Sequence, residues 1–168
     1  LRDIGIRFLN DEALAIFAKA GCKIVDQTVF LDEDFVMEMV GRAPADFTVT
    51  PRNAARALPF GGKAMLFGNV SSPPNYWDME RGKVSGFMEG FKTFIKLTQY
   101  FNCIHFAGGY PVEPIEIHPS VRHLDAIYDK LTLTDKVVHA YSLGPERVED
   151  AMEMVRIAAG LSHEEFEA

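Results

Sequence analysis

The 168-residue sequence predicts an α/β fold, on three observations. Its second half alternates strand and helix patterns with short connections, the grammar of a sheet covered by helices. The region from Phe47 to Ser85 is β-rich and irregular, punctuated by Gly61-Gly62 and by Asp78-Met79-Glu80-Arg81-Gly82-Lys83. Two short amphipathic helical patterns and two brief extended pieces precede it. Residues 1–62 are therefore expected to form a helical and β-hairpin layer, and residues 63–168 three β/α units. On pattern alone, these units fit either a doubly wound sheet or a β/α barrel.

Taken in order, Asn10 is a good N-cap for a helix from Asp11 to Ala20, and Gly21 can close it. Leu14, Phe17 and Ala18 form its apolar stripe. Cys22–Asp26 and Val29–Leu31 read as extended pieces around a polar turn. Asp32 caps a second helix to about Gly41, with Phe35, Val36, Met39 and Val40 inward. Phe47–Thr50 alternates with period two, and Ala57–Phe60 is extended. Gly61-Gly62 can turn the chain into a strand over Ala64–Phe67. Tyr76-Trp77 and Val84-Ser85 flank a second hairpin turn. Beyond Gly86, Phe87–Phe101 is helical, with Phe87, Phe91, Phe94, Ile95 and Thr98 on one face. Cys103–Ala107 is a strand. Pro119–Leu131 is a helix with Val121, Leu124, Ile127, Tyr128 and Leu131 inward. Lys136–Ala140 is a strand, and Pro145–Ala159 a helix closed by Gly160.

Composition limits the function. Lys and Arg total 17 against 24 Asp and Glu, for a formal charge of −7, which disfavours nucleic acid and anionic membrane surfaces as partners. No apolar run reaches the roughly 18–20 residues of a spanning helix, and no signal peptide is expected. Cys22 and Cys103 form no metal spacing and read as buried free thiols, suiting a reducing cytoplasm. The chain begins at Leu1 without methionine, and Ser162 with Glu165 is a capping box opening a helix at its last residues. Both ends read as cut from a longer protein.

In either architecture ligands gather beyond the carboxyl ends of the strands. That rule selects Gly68, Asn69, Ser71, Ser72, Tyr76 and Trp77 after the first strand. It selects Gly108, Gly109, Tyr110 and Glu113 after the second, and His139, Tyr141 and Ser142 at the third. Rich in aromatics and hydroxyls and poor in charge, this set suits a neutral or cationic small molecule, because aromatic faces attract ammonium groups. Each aromatic also reads as core filling. No GxGxxG, P-loop or G-x-S-x-G pattern follows any strand. His105, His118, His123 and His139 lack HxH or HxxxH spacing, so no metal site is expected. His123 is expected to pack or hydrogen-bond locally.

The chain resembles the trimethylamine methyltransferase family, corrinoid-dependent methyltransferases of methylated amines and betaines. The resemblance runs through Ile4-Gly5-Ile6-Arg7-Phe8 and Ala20-Gly21-Cys22, Ala43-Pro44 to Pro51-Arg52-Asn53, and Gly68 to Asp78. It continues through Gly109 to Arg122-His123-Leu124-Asp125, and Leu131-Thr132-Leu133-Thr134-Asp135-Lys136 to Leu143-Gly144-Pro145-Glu146-Arg147. It implies a partial β/α (TIM-type) barrel, of which this is an N-terminal part. It also implies methyl transfer from trimethylamine or a betaine such as glycine betaine to the Co(I) of a separate corrinoid protein, in one-carbon metabolism of the methanogenic type. The cobalamin is expected on that partner and none on this chain; a homo-oligomer is expected. Strand-end logic, and not the family, assigns Asn69, Tyr76, Trp77, Tyr110, Tyr141 and Ser142 to substrate binding, with Asn69 or Ser142 on a substrate carboxylate. Catalytic residues stay unassigned, and the segment alone is expected to be inactive. The competing reading is a non-catalytic amine-binding or structural segment of a β/α-barrel protein, and a metal-dependent barrel hydrolase stands further off.

Overall fold

A computed structural model describes residues 1–140 and 143–167. The chain divides into two units, Leu1–Ala45 and Asp46–Ala168. In the first, β1 (Ile6–Arg7), β2 (Lys23–Val25) and β3 (Thr28–Phe30) form an antiparallel sheet in the order β1-β3-β2. Asp26 and Gln27 both take positive φ, 49° and 78°, which is what a two-residue hairpin joining β2 to β3 demands. Helix α1 (Asp11–Lys19) starts as expected, with the Asn10 side chain accepting from the Ala13 N–H at 2.8 Å. Helix α2 (Glu33–Gly41) follows Asp32. Its Phe35 and Val36 are half-buried, but Met39 and Val40 are exposed. The inward stripe of α2 is therefore shorter than the sequence suggested.

The second unit opens with β4 (Asp46–Val49) paired antiparallel with β5 (Leu58–Gly61). This pairing corrects the expected strand over Ala64–Phe67. Gly61 and Gly62 do take positive φ, 103° and 57°, but the turn leads out of the sheet. Phe47 already stacks on Phe60 across the β4–β5 pair, ring centroids 5.1 Å apart, so β5 has its partner upstream. Ala64–Phe67 forms no strand, with Met65 and Phe67 exposed; contact with the later chain begins at Phe67, and Gly68 makes a parallel bridge to Phe106.

The second hairpin is as read: β6 (Asn75–Asp78) pairs with β7 (Gly82–Ser85). Asp78 builds its turn, accepting from the Glu80 and Arg81 N–H groups at 3.0 and 2.9 Å. These bonds, the Arg81 N–H foremost, lower its pKa to about 2.

Helix α3 (Met88–Tyr100) buries Phe91, Ile95 and Thr98 as its spacing predicts, while Phe87 precedes it and is exposed. The next strand shrinks to β8 (Phe106–Ala107) and the third to β9 (Val137–Val138), paired in parallel. Between them, α4 spans Arg122–Leu133, not Pro119–Leu131. Its buried residues are His123, Ala126, Ile127, Asp129 and Lys130, whereas Val121, Leu124 and Tyr128 are exposed. The expected face holds for Ile127 and fails for Val121, Leu124 and Tyr128, because polar side chains with partners take places on the buried face. Lys92 approaches Asp129 at 3.8 Å, and His123 Nε2 donates to the Asp150 carboxylate at 2.8 Å.

Helix α5 (Pro145–Ala159) ends at Gly160 in the left-handed conformation. Ser162 and Glu165 form the expected capping box ahead of α6 (His163–Glu167). The core gathers Phe91 and Ile95 of α3, Ala107 of β8, Ala126 of α4, and Tyr110 and Val112. Neither cysteine is fully buried: Cys22 is half-buried and Cys103 exposed, and both are free thiols. No described helix is long and apolar enough to cross a membrane.

Candidate functional site

Three passes of chain run parallel and side by side: Gly68 bridges Phe106, which pairs with Val137 through β8 and β9. The order is set locally. His105 and Phe106 N–H groups both donate to the Phe67 carbonyl, at 2.7 and 3.4 Å, and the His139 N–H donates to Ala107 at 2.9 Å. Gly68 must lack a side chain, because a Cβ there would meet the Phe106 ring at 2.5 Å. His105, just ahead of β8, accepts the Phe67 N–H on Nδ1 at 2.9 Å.

Beyond these ends the two loops are tied rung by rung. The Ser72 N–H donates to the Tyr110 carbonyl at 2.6 Å, and the Glu113 N–H to the Pro73 carbonyl at 2.9 Å. The Gly86 N–H reaches Pro74 at 2.9 Å, and the Ile115 N–H reaches Gly86 at 3.2 Å. Two prolines offer carbonyls without N–H groups, so they serve this ladder only as acceptors. Ser72 bends the loop with φ of 62°, a left-handed conformation that costs a non-glycine residue about 1 kcal/mol or more. Glu113 then pairs with Arg122 at 3.0 Å, and Arg122 also donates to the Ile117 carbonyl.

The residues assigned from the sequence fall in different places. Asn69 is half-buried at the first strand end; its Oδ1 accepts the Gly108 N–H at 2.8 Å and its Nδ2 donates to the Val70 carbonyl at 2.9 Å. Tyr110 is buried, edge-on to Phe91 at 5.9 Å. Asn69 and Tyr110 thus share the same loop ladder. Tyr76 packs from the hairpin onto α3, edge-on to Phe94 at 5.4 Å, with Gly90 leaving room for its ring. Trp77 points the other way along β6, as strand alternation requires, and is 73% exposed. Tyr76 and Trp77 line a groove of about 500 Å³ with Glu89 and Phe94 of α3. Tyr141 and Ser142 lie outside the described residues.

The sequence reading missed Lys130. From α4 this side chain, 2% exposed, runs to the strand ends and donates to the Gly108 carbonyl at 2.7 Å and the His139 carbonyl at 2.8 Å. Its Nζ lies 5.7 Å from the centre of the Tyr110 ring. Burial lowers its pKa to about 7. The available signal was spacing: His123, Ala126, Ile127 and Lys130 fall on one helical face, which looks unpromising for a core until its polar members are given partners. Among the described residues no group of three His, Cys, Asp or Glu side chains could hold a metal ion.

Parallel strand ends with two loops tied to each other by backbone hydrogen bonds define an α/β chain. The family model described as trimethylamine methyltransferase (MTTB) matches residues 1–168, and the chain belongs to this family. It is 31% identical over 160 residues to glycine betaine methyltransferase of Desulfitobacterium hafniense (strain Y51). That match covers 95% of the chain and 33% of the relative, so the chain spans about a third of the curated protein's length.

Proposed function

We propose that the protein transfers a methyl group from a tertiary or quaternary amine, trimethylamine or a betaine such as glycine betaine, to the cobalt of a separate corrinoid protein. The observation carrying this reading is the family match along residues 1–168. In the same reading Gly68, β8 and β9 are consecutive inner passes of a β/α barrel whose other strands lie elsewhere in the longer protein. The strand-end face is then where the amine enters.

The chemistry asks little acid–base work of this chain. The corrinoid cobalt, as Co(I), supplies the nucleophile. When the donor is a quaternary ammonium, the carbon–nitrogen bond breaks with its electron pair going to nitrogen, and the amine leaves neutral. The protein's task is to strip water from the cation and orient one methyl outward. Aromatic faces do this at about 0.5–2 kcal/mol each, and Tyr110, Tyr76, Trp77 and Tyr141 are the candidates. Asn69 and Ser142 are candidates for hydrogen-bonding a substrate carboxylate. The residues described at the strand ends supply carbonyls, amides and rings, a lining suited to holding an amine beneath a cobalt carried by another protein.

The test is methyl transfer to cob(I)alamin by the full-length protein, followed by the change in cobalamin absorbance, with glycine betaine and trimethylamine as donors. Turnover with either supports the reading. Calorimetric binding of the amine without any turnover would identify a non-catalytic binding protein instead.

A further inference from the structure

Lys130 does something the hydrophobic core does not require. A long cationic side chain, almost wholly buried, is carried from a helix to the point where β8 and β9 hand over to their loops. The two carbonyls it holds belong to adjacent strands, Gly108 after Ala107 and His139 after Val138. Gly108 is held from its other side as well, through the Asn69 side chain on its N–H. Asn69 therefore links the first pass to the second, and Lys130 links the second to the third. Gly108 leaves no room for a side chain: a Cβ there would stand 2.9 Å from the Asn69 carbonyl oxygen.

We propose that Lys130 is a positioning residue of the substrate face, clasping the ends of β8 and β9 so that Tyr110 and the loop after it are held where the amine binds. This rests on the methyltransferase reading above. Its ammonium touches backbone and an aromatic face, so it acts through the segments it holds. A depressed pKa agrees with a group kept in place at an electrostatic cost. Displacing a substrate-positioning segment by about 1 Å costs on the order of 100-fold in rate.

Lys136 supplies the control. It too is a buried lysine that grips backbone carbonyls, but those of Thr98, Phe101 and Ile104, at the end of α3 and in the lead-in to β8. In the full-length protein, K130M should lower kcat/KM for glycine betaine with cob(I)alamin at least about tenfold, with kcat carrying most of the loss. K136M, assayed at a temperature where it is folded, should keep kcat and KM within about twofold. Hydrogen exchange followed by mass spectrometry gives a readout independent of turnover. Peptides covering 108–112 and 137–140 should exchange at least about tenfold faster in K130M, with peptides elsewhere in the folded variant exchanging as in wild type.

Should K130M fail to fold, K130Q, whose shorter amide cannot span both carbonyls, takes its place with the same expectations. A folded Lys130 variant with native kcat, KM and exchange overturns the proposal. So does K136M losing as much kcat as K130M, since the effect would then be general loosening. If the wild-type protein moves no methyl group, the functional reading fails; the exchange comparison then decides the clasp alone, and unchanged exchange in K130M refutes it.

Discussion

Replacing Lys136 by methionine should be among the most damaging single changes to the stability of this chain. The Lys136 Nζ donates to three carbonyls, Thr98 at 2.5 Å, Phe101 at 2.8 Å and Ile104 at 2.6 Å. The first two lie at the C-terminal end of α3, where a positive charge also meets the negative end of the helix. Hydrogen bonds from a charged donor contribute about 1.5–3 kcal/mol each, so three amount to roughly 4–9 kcal/mol. Burial, which heads the causes lowering this lysine's pKa, takes back several kcal/mol. Methionine fills similar volume but takes this donor from all three carbonyls, leaving Phe101 with only the Ile104 N–H. The net loss should be about 3–5 kcal/mol, a fall in midpoint of roughly 10 °C for a chain of this length. Urea unfolding followed by circular dichroism measures it. K136R should lose less than K136M yet fail to match wild type, because a planar guanidinium cannot converge on three carbonyls as an ammonium does. A K136M loss below about 1 kcal/mol would refute the reasoning, showing that water satisfies those carbonyls.

Further outcomes follow from the same geometry. Gly86→Ala would place a Cβ 2.1 Å from the Glu113 carbonyl oxygen; backbone must move, and a loss of about 2 kcal/mol or more is expected in the unfolding midpoint. Lys130 has its pKa depressed in the folded state, from 10.5 to about 7, so between those values the unfolded chain binds the extra proton. Its contribution should therefore favour folding increasingly as pH rises from about 7 to 10.5, and below about 7 it should be flat. Comparing wild type with K130M at several pH values isolates that slope. Trp77→Ala removes a ring that is 73% exposed, so stability should change by no more than about 0.5 kcal/mol. A rise in the KM for glycine betaine in the same variant would place the amine against it, and unchanged KM would remove Trp77 from the pocket.

What the sequence disclosed and what it withheld divide along physical lines. The β6–β7 hairpin was readable because its turn is built by neighbours: Asp78 caps the Glu80 and Arg81 N–H groups. The caps at Asn10 and Ser162 were readable for the same reason. The strand over Ala64–Phe67 was misread because strand pairing is a choice between distant partners. Gly61-Gly62 turns as glycines can, yet Phe47 across the sheet decides where β5 belongs. On α4, hydropathy pointed Leu124 and Tyr128 inward and left out Lys130. A polar residue goes inside when a carbonyl or carboxylate awaits it, and that acceptor lies elsewhere in the chain. The strand-end rule chose Asn69 and Tyr110 for the substrate, and both lie along one ladder. It carried no information about which side of the β6–β7 hairpin faced α3.

The proline-bearing loop has a bearing on the order of events in folding. From Phe67 to Pro73, the backbone and amide bonds that fix the loop's course run to His105, Phe106, Gly108, Tyr110 and Glu113. All of those partners lie beyond α3, so the loop must wait for a large closure that shorter-range contacts do not require. Hairpin β6–β7 and helix α3 can form from local contacts first. The stretch should then be a late-forming element whose mutations chiefly accelerate unfolding and leave refolding rates little changed. In the growing chain, it would remain unlocked until the residues of β8 and the loop beyond had been made.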